Sequence, residues 1–305
     1  MNIFHRKILR GILNFSRSSS IPALYFLLGE LPIEGQIHRD VFSLFYSVWT
    51  NPKSKIFSIV KYLVENCPSN SRTWSNHVKF LSLQYQIPDP LECLNNEPPN
   101  KTYFKEFVLT KVCAYHENNL RQMAVQNSRM KYLNVSLLSL RGKSHPALNN
   151  IVTIQDVRKC RPHLKMLSGD YLTFQDKANH SGRSPSCKTC KDSSEPDEDL
   201  CHILTKCTAY TDIRSRILQE YYNLFQASHS KYDFSKVAEH NETLCQFLLD
   251  PSSLNLSERI SMNNPILVEL FKHSRDLCFS INNRRTEILK TLQYLLLYIP
   301  YIVKT

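Results

Sequence analysis

The sequence predicts a mainly α fold, a helical body with a small cysteine- and histidine-rich module, on three observations. Apolar residues recur at helical rather than alternating spacing through most of the chain. Only 6 glycines stand beside 15 prolines in 305 residues, too few for a glycine-rich nucleotide-binding α/β architecture. Residues 186–207, SCKTCKDSSEPDEDLCHILTKC, crowd four cysteines and a histidine into one short stretch. With 42% hydrophobic residues the chain has enough apolar surface to bury a core, so it reads as globular.

The elements follow in order. MNIFHRKILRGILNF is basic and amphipathic, with no acid before Glu30. It has the look of a mitochondrial presequence, but the apolar pattern continues into IPALYFLLGELP without a small-residue cleavage site, so a fold element is expected. IEGQIHRDVFSLFYSVW places Ile33, Ile37, Val41, Leu44, Phe45 and Val48 on one helical stripe, and SKIFSIVKYLVEN does the same with Ile56, Ile59, Val60, Leu63 and Val64. Both stripes read as core. Pro52 and a Ser54 cap separate them, and SRTWSNHVKFLSLQY begins a third helix.

IPDPLECLNNEPPN carries four prolines and reads as an extended connector and hinge. Helical period resumes from Tyr103 to about Asn127; YLNVSLLSL is ambiguous and HPALNN is a loop. TIQDVRKCRPHLKMLSGDY reads as a helix capped at Thr153, interrupted or kinked at Pro162 and closed by Gly169. After the cysteine cluster, TAYTDIRSRILQEYYNLF aligns Ile213, Ile217, Leu218, Tyr221 and Leu224, and two more helical runs complete the chain. The breaks give helical regions 1–88 and 101–168 about a connector at 89–100, a module at 169–225 and C-terminal helices at 226–305.

The formal net charge is +11, which favours polyanionic partners such as RNA, DNA or an anionic membrane surface, or marks no more than a soluble basic protein. With no signal peptide in evidence, an intracellular, reducing setting in nucleus or cytoplasm is expected, where ten cysteines stay thiols or bind metal. The stretch from Thr291 to Val303 is uncharged but shorter than the about 20 residues a span needs, and it holds Pro300. No transmembrane segment is expected; a buried or partner-docking terminal helix is.

The cysteine cluster carries the chemistry. Cys187 and Cys190 form a C-x2-C knuckle, and His202 and Cys207 an H-x4-C pair, with residues 191–201 between. A two-residue gap lets one tight turn offer two thiolates to one metal, so the spacing fits a Cys3His structural Zn2+ site with no open position. In CHIL, Ile203 and Leu204 are free to pack on the body while His202 faces the metal, and Cys201 is a substitute ligand at best. A thioredoxin-like C-x-x-C needs a preceding strand and a helix starting at the motif, whereas NHSGRSPS reads as loop; chance clustering is the remaining alternative.

Asp192, Glu195, Asp197, Glu198 and Asp199 make an acidic loop that should turn outward and repel phosphate. Basic residues flank it: Arg183 and Lys188 before, Lys206, Arg214 and Arg216 after, and Arg158, Lys159, Arg161 and Lys165 upstream. These are the candidate nucleic-acid contacts, against the reading of a solvated basic face. No Asp-Asp pair is present to hold two polymerase metals, nor a P-loop, a G-x-S-x-G elbow or an H-E-x-x-H motif. Cys113 with His116 imitates a thiol dyad, but as helix neighbours they read as core and surface. No catalysis by this chain alone is expected.

The run LKMLSGDYLTFQDKANHSGRSPSCKTC...CHILTKCTAYTDIRSRIL resembles the zinc-binding region that follows the polymerase domain in reverse transcriptases of non-LTR (LINE-type) retrotransposons. In that family a leucine-rich helix and a TG-x-Y-like turn lead to C-x2-C, an acidic linker, H-x4-C and an arginine-containing helix. Gly169 and Tyr171 match the turn, Cys187, Cys190, His202 and Cys207 the ligands, and Tyr210 and Arg214 the exit helix. Cys201 departs from the pattern, since glutamate is common before the histidine. RKILRGILNFSRSSSIPALYFLLGELPIEGQIHRDVFSLFYSVWTNPKSKIFSIV and TWSNHVKFLSLQYQIPDP are similar to the helical segment between thumb and zinc region, so the likeness covers most of residues 6–220. It implies a non-catalytic C-terminal piece of an RNA-directed DNA polymerase that grips RNA or an RNA/DNA hybrid. The alternatives are a zinc-stapled protein-interaction module, docking through its C-terminal helix, or a retroelement remnant without selected function.

Overall fold

In the computed structural model, which describes residues 2–68, 70–182, 184–190, 196–227, 237–253 and 265–302, all regular elements are helical. The β pairing among the described residues is confined to an isolated antiparallel bridge, Ser186 to Asp197. The mainly α expectation therefore holds. The helices are α1 (Asn2–Leu13), α2 (Ile21–Leu28), α3 (Ile33–Trp49), α4 (Lys55–Asn66), α5 (Trp74–Tyr85), α6 (Pro90–Asn95) and α7 (Lys101–Val125) in the first half. The second half contributes α8 (Ile154–Ser168), α9 (Phe174–Ser181), α10 (Thr211–Ala227), α11 (Asn241–Leu249) and α12 (Pro265–Ile302).

Short polar side chains start many of these helices by accepting amide protons that the first turn leaves unpaired. Ser54 accepts from Phe57 N at α4, Thr73 from Asn76 N at α5, and Asn100 from Thr102 N at α7. Thr153 and Asp156 form a reciprocal capping box at α8, and Thr173 with Asp176 repeats it at α9. α8 continues through the buried Pro162 as one helix and stops at Gly169, whose φ of 74° is left-handed.

α7 is the spine of the first half and packs against α2, α3 and α5. The face α3 turns inward is aromatic: His38, Phe42, Phe45, Tyr46 and Trp49 are buried, whereas Leu44 of the expected stripe is 56% exposed. On α4, Val60 and Val64 are buried while Ile56 and Ile59 face solvent. Both helices carry more apolar residues than one face can bury, and the α3 aromatics win because each removes more area from water. Tyr46 stacks on Phe104 at 5.0 Å, and its hydroxyl donates to the Pro99 carbonyl.

The proline-rich segment is not extended throughout. α6 forms there from an Asp89 cap, buries Pro90, Cys93 and Leu94, and is held by Trp49 Nε1 donating to the Asn96 carbonyl. Proline at the first helical position suits a turn whose N–H would be unpaired anyway.

In the second half α12 packs against α8 and α10, with Leu270, Phe271, Leu277, Cys278 and Ile281 fully buried. The two halves share main-chain hydrogen bonds: Gly142 N donates to Gly29 O and His145 N to Leu27 O, each at 2.8 Å. Arg275 of α12 donates to the carbonyls of Ala147 and Asn149, closing the loop after α7 onto the C-terminal helices. No described helix is long and apolar enough to cross a membrane. The side chains of the apolar tail from residue 294 onward, expected to dock a partner, lie outside the described residues.

Candidate metal centre

Two short devices bring the four expected ligands together. Cys187 N donates to Pro196 O and Glu198 N to Pro185 O, each at 2.8 Å, so the bridge at Ser186 and Asp197 closes the loop and fixes the C-x2-C knuckle. Beyond it, His202–Lys206 is a π-helical turn closed by Cys207 N donating to His202 O. Its wider winding carries residues five apart toward the same side, which an α-turn does not. Ile203 and Leu204 are fully buried on the opposite side, as the CHIL pattern implies.

The ligand atoms of Cys187, Cys190, His202 and Cys207 all lie within 4.8 Å of one another. Cys187 Sγ and Cys207 Sγ are 3.9 Å apart, close to the edge of about 3.8 Å in a tetrahedron with metal–sulfur bonds of about 2.3 Å. His202 Nε2 is buried and has no hydrogen-bond partner among the described residues. A buried ring nitrogen without a partner is costly unless something fills its lone-pair direction, and a metal ion does so. The residues therefore fit a metal on both geometry and donor chemistry.

The Cys187 thiol is pulled well below its ordinary range, first by hydrogen bonding with Cys207 and further by Thr189, against the burial that opposes ionisation. Thr189 Oγ1 lies 3.1 Å from Cys187 Sγ and 3.5 Å from Cys207 Sγ, so its hydroxyl can donate to thiolate. Cys201 turns the other way, toward Thr205 Oγ1 at 3.6 Å and the Cys245 thiol, and is not a ligand.

Glu198 corrects the sequence reading. It was expected in an outward acidic loop, yet it is fully buried behind Cys187, with Oε2 3.8 Å from Cys187 Sγ. Arg285 of α12 grips it with two hydrogen bonds, Nη2 to Oε1 at 2.6 Å and Nε to Oε2 at 3.3 Å, and Phe174 N donates to Oε1 at 3.0 Å. The guanidinium also lies over the Tyr171 and Phe174 rings at 5.5 and 5.3 Å. Burial raises the Glu198 carboxyl above its usual value, and Arg285 opposes that rise. A signal was present: Arg285 continues the apolar stripe of Leu277 and Ile281, where a charge must find a buried partner. Asp197 is exposed as expected, and residues 191–195 lie outside the described residues.

The basic candidates divide. Arg158, Arg161, Lys188 and Arg216 are exposed. Lys165 is half-buried, and Lys159 forms an ion pair with Asp276 at 2.7 Å, which gives it a structural role between α8 and α12. Arg214 is drawn inward and donates to the Cys207 carbonyl and to Thr211 Oγ1. Arg183 lies outside the described residues. Cys113 and His116 do not pair: Cys113 approaches Leu140 O, while His116 Nε2 meets Tyr85 OH at 3.1 Å.

No family model, curated protein or solved structure matches the chain.

Proposed function

We propose that Cys187, Cys190, His202 and Cys207 hold one structural Zn2+, which staples a non-catalytic, RNA-binding region of the kind that follows the polymerase in non-LTR retrotransposon reverse transcriptases. The four-ligand cluster carries the reading. Three thiolates and one imidazole are the donor set a tetrahedral zinc prefers over harder ions, and four protein ligands leave no position for an activated water. Binding on the order of 10 kcal/mol stabilises so short a module.

The RNA half of the reading is supported by the net charge of +11 and by the exposed Arg158 and Arg161 on α8 and Lys188 and Arg216 in the module. Phosphate contacts release counterions, so affinity for an RNA or RNA/DNA hybrid should fall steeply with salt. Reversing these four residues to glutamate should flatten that slope while zinc content is unchanged. Salt-independent binding, or a slope untouched by the reversal, sinks the proposal.

A zinc-stapled protein-interaction module is the second reading, favoured by the large apolar side chains exposed on the N-terminal helices, among them Ile56, Tyr62, Phe80 and Leu83. Apolar docking releases few counterions, so the same titration separates the two. In either case the chain is assigned no catalysis of its own, and a reducing nuclear or cytoplasmic setting keeps the thiols available to metal.

A further inference from the structure

A cleft of about 330 Å³ lies where the metal module meets the helical body. It is lined by the turn after α7, with Arg129 and Lys131, by α9, with Gln175 and Asn179, and by Asp199 just before the metal-binding turn. Gly169 and Tyr171 also line it, and the Tyr171 ring rests on the Arg285 guanidinium.

The charges along this cleft are already used. Arg129 pairs with Asp176 at 3.4 Å, Lys131 pairs with Glu242 at 3.3 Å, and Asp199 Oδ1 accepts the His202 amide at 2.6 Å. A phosphate would therefore meet compensated cations and two carboxylates. By contrast, the side-chain amides of half-buried Gln175 and exposed Asn179 have no hydrogen-bond partner among the described residues. They stand four apart on α9 and so lie on one helix face, offering donors and acceptors to the cleft.

We infer that this cleft receives an unstacked adenine base of the bound RNA, read by the Gln175 and Asn179 amides while the exposed cations outside it hold the phosphates. The inference rests on the RNA reading above. An uncharged planar group with donors and acceptors along its edge suits a charge-compensated cleft lined by free amides. Asn and Gln pair with adenine through its N6 and N7, and single-stranded bases are the part of RNA that proteins read in this way. Because α9 and Asp199 belong to the metal module, the cleft has its shape only when that module is folded.

The test uses the full zinc-loaded chain and two 12-nucleotide RNAs of equal charge, all-uridine and uridine with a central run of three adenines. Fluorescence anisotropy should give the adenine-bearing RNA at least about fivefold tighter binding. The Gln175→Ala/Asn179→Ala double variant should abolish that preference and leave the all-uridine affinity and its salt slope unchanged. Neither residue has a side-chain hydrogen bond to lose among the described residues, so the variant should fold, which circular dichroism checks. A second measurement irradiates an RNA carrying 8-azidoadenosine and maps the adduct, expected within residues 128–132 or 169–179. Equal affinity for the two RNAs, a preference that survives in the double variant, or an adduct elsewhere overturns the base cleft while leaving the RNA reading intact. Failure to bind either RNA at low salt overturns both.

Discussion

Replacing Arg285 with methionine keeps an apolar stem in the α12 stripe but leaves Glu198 buried without its cation. The structure sets the scale. Glu198 is fully buried and Arg285 is 8% exposed, so solvent screens the pair little. Two charge-assisted hydrogen bonds are lost, and the stack on Tyr171 and Phe174 goes with them. Removing one member of a buried ion pair costs about 3–5 kcal/mol, most of it from the carboxylate left behind. Glu198→Gln combined with Arg285→Met should cost less than the two single changes added together, because neither partner is then an unpaired charge. Urea unfolding of the zinc-loaded protein, followed by circular dichroism, reads the loss as a lower midpoint. Since Glu198 also backs Cys187, Arg285→Met should speed zinc transfer to a chelator. A loss under about 1 kcal/mol, or additive single and double variants, would refute the buried clasp.

Acid should weaken the fold by forcing a proton onto a buried imidazole. Burial holds the His163 imidazole at about 4, with Nε2 against the Leu249 carbonyl at 2.7 Å. A folded-state value below the ordinary 6.5 means its contribution is complete above about pH 6.5 and is lost as pH falls toward 4, worth roughly 3 kcal/mol. His163→Gln should therefore unfold with a shallower dependence in that window, and an unchanged slope would count against the assignment. Gly169→Ala should destabilise by about 1–3 kcal/mol, because φ is 74° and a Cβ would collide with the Arg129 backbone. Gly182→Ala, with φ 64° but open space around it, should cost less in the same unfolding measurement. Chelation should expose residues 170–220 to protease while α1–α7 stay protected; an unchanged digestion pattern would contradict a metal-dependent module.

What could be read from the sequence was local. The four ligands were legible because C-x2-C and H-x4-C each lie within one turn, and the Thr153 cap and Gly169 stop because capping acts over a few residues. Which apolar residues form the core was not, since α3 and α4 have apolar positions on more than one face and only their neighbours decide which are covered. α6 was hidden by prolines that suit a helix start, and α9 by a polar composition that its capping box overrides. The burial of Glu198 is hidden for a related reason: its partner lies 87 residues away, and an acid in an acidic stretch gives no hint of a long-range cation.

Metal content with ligand substitution tests the central claim most directly. The purified chain should carry one zinc, and cobalt exchanged into it should give the absorption of a tetrahedral thiolate site. Cys190→Ser and Cys207→Ser should each remove that signature, whereas Cys201→Ser should retain it, because Cys201 faces Thr205 and Cys245 instead of the cluster. A protein that binds no zinc, or one in which Cys201→Ser is as damaging as Cys207→Ser, would contradict the assignment.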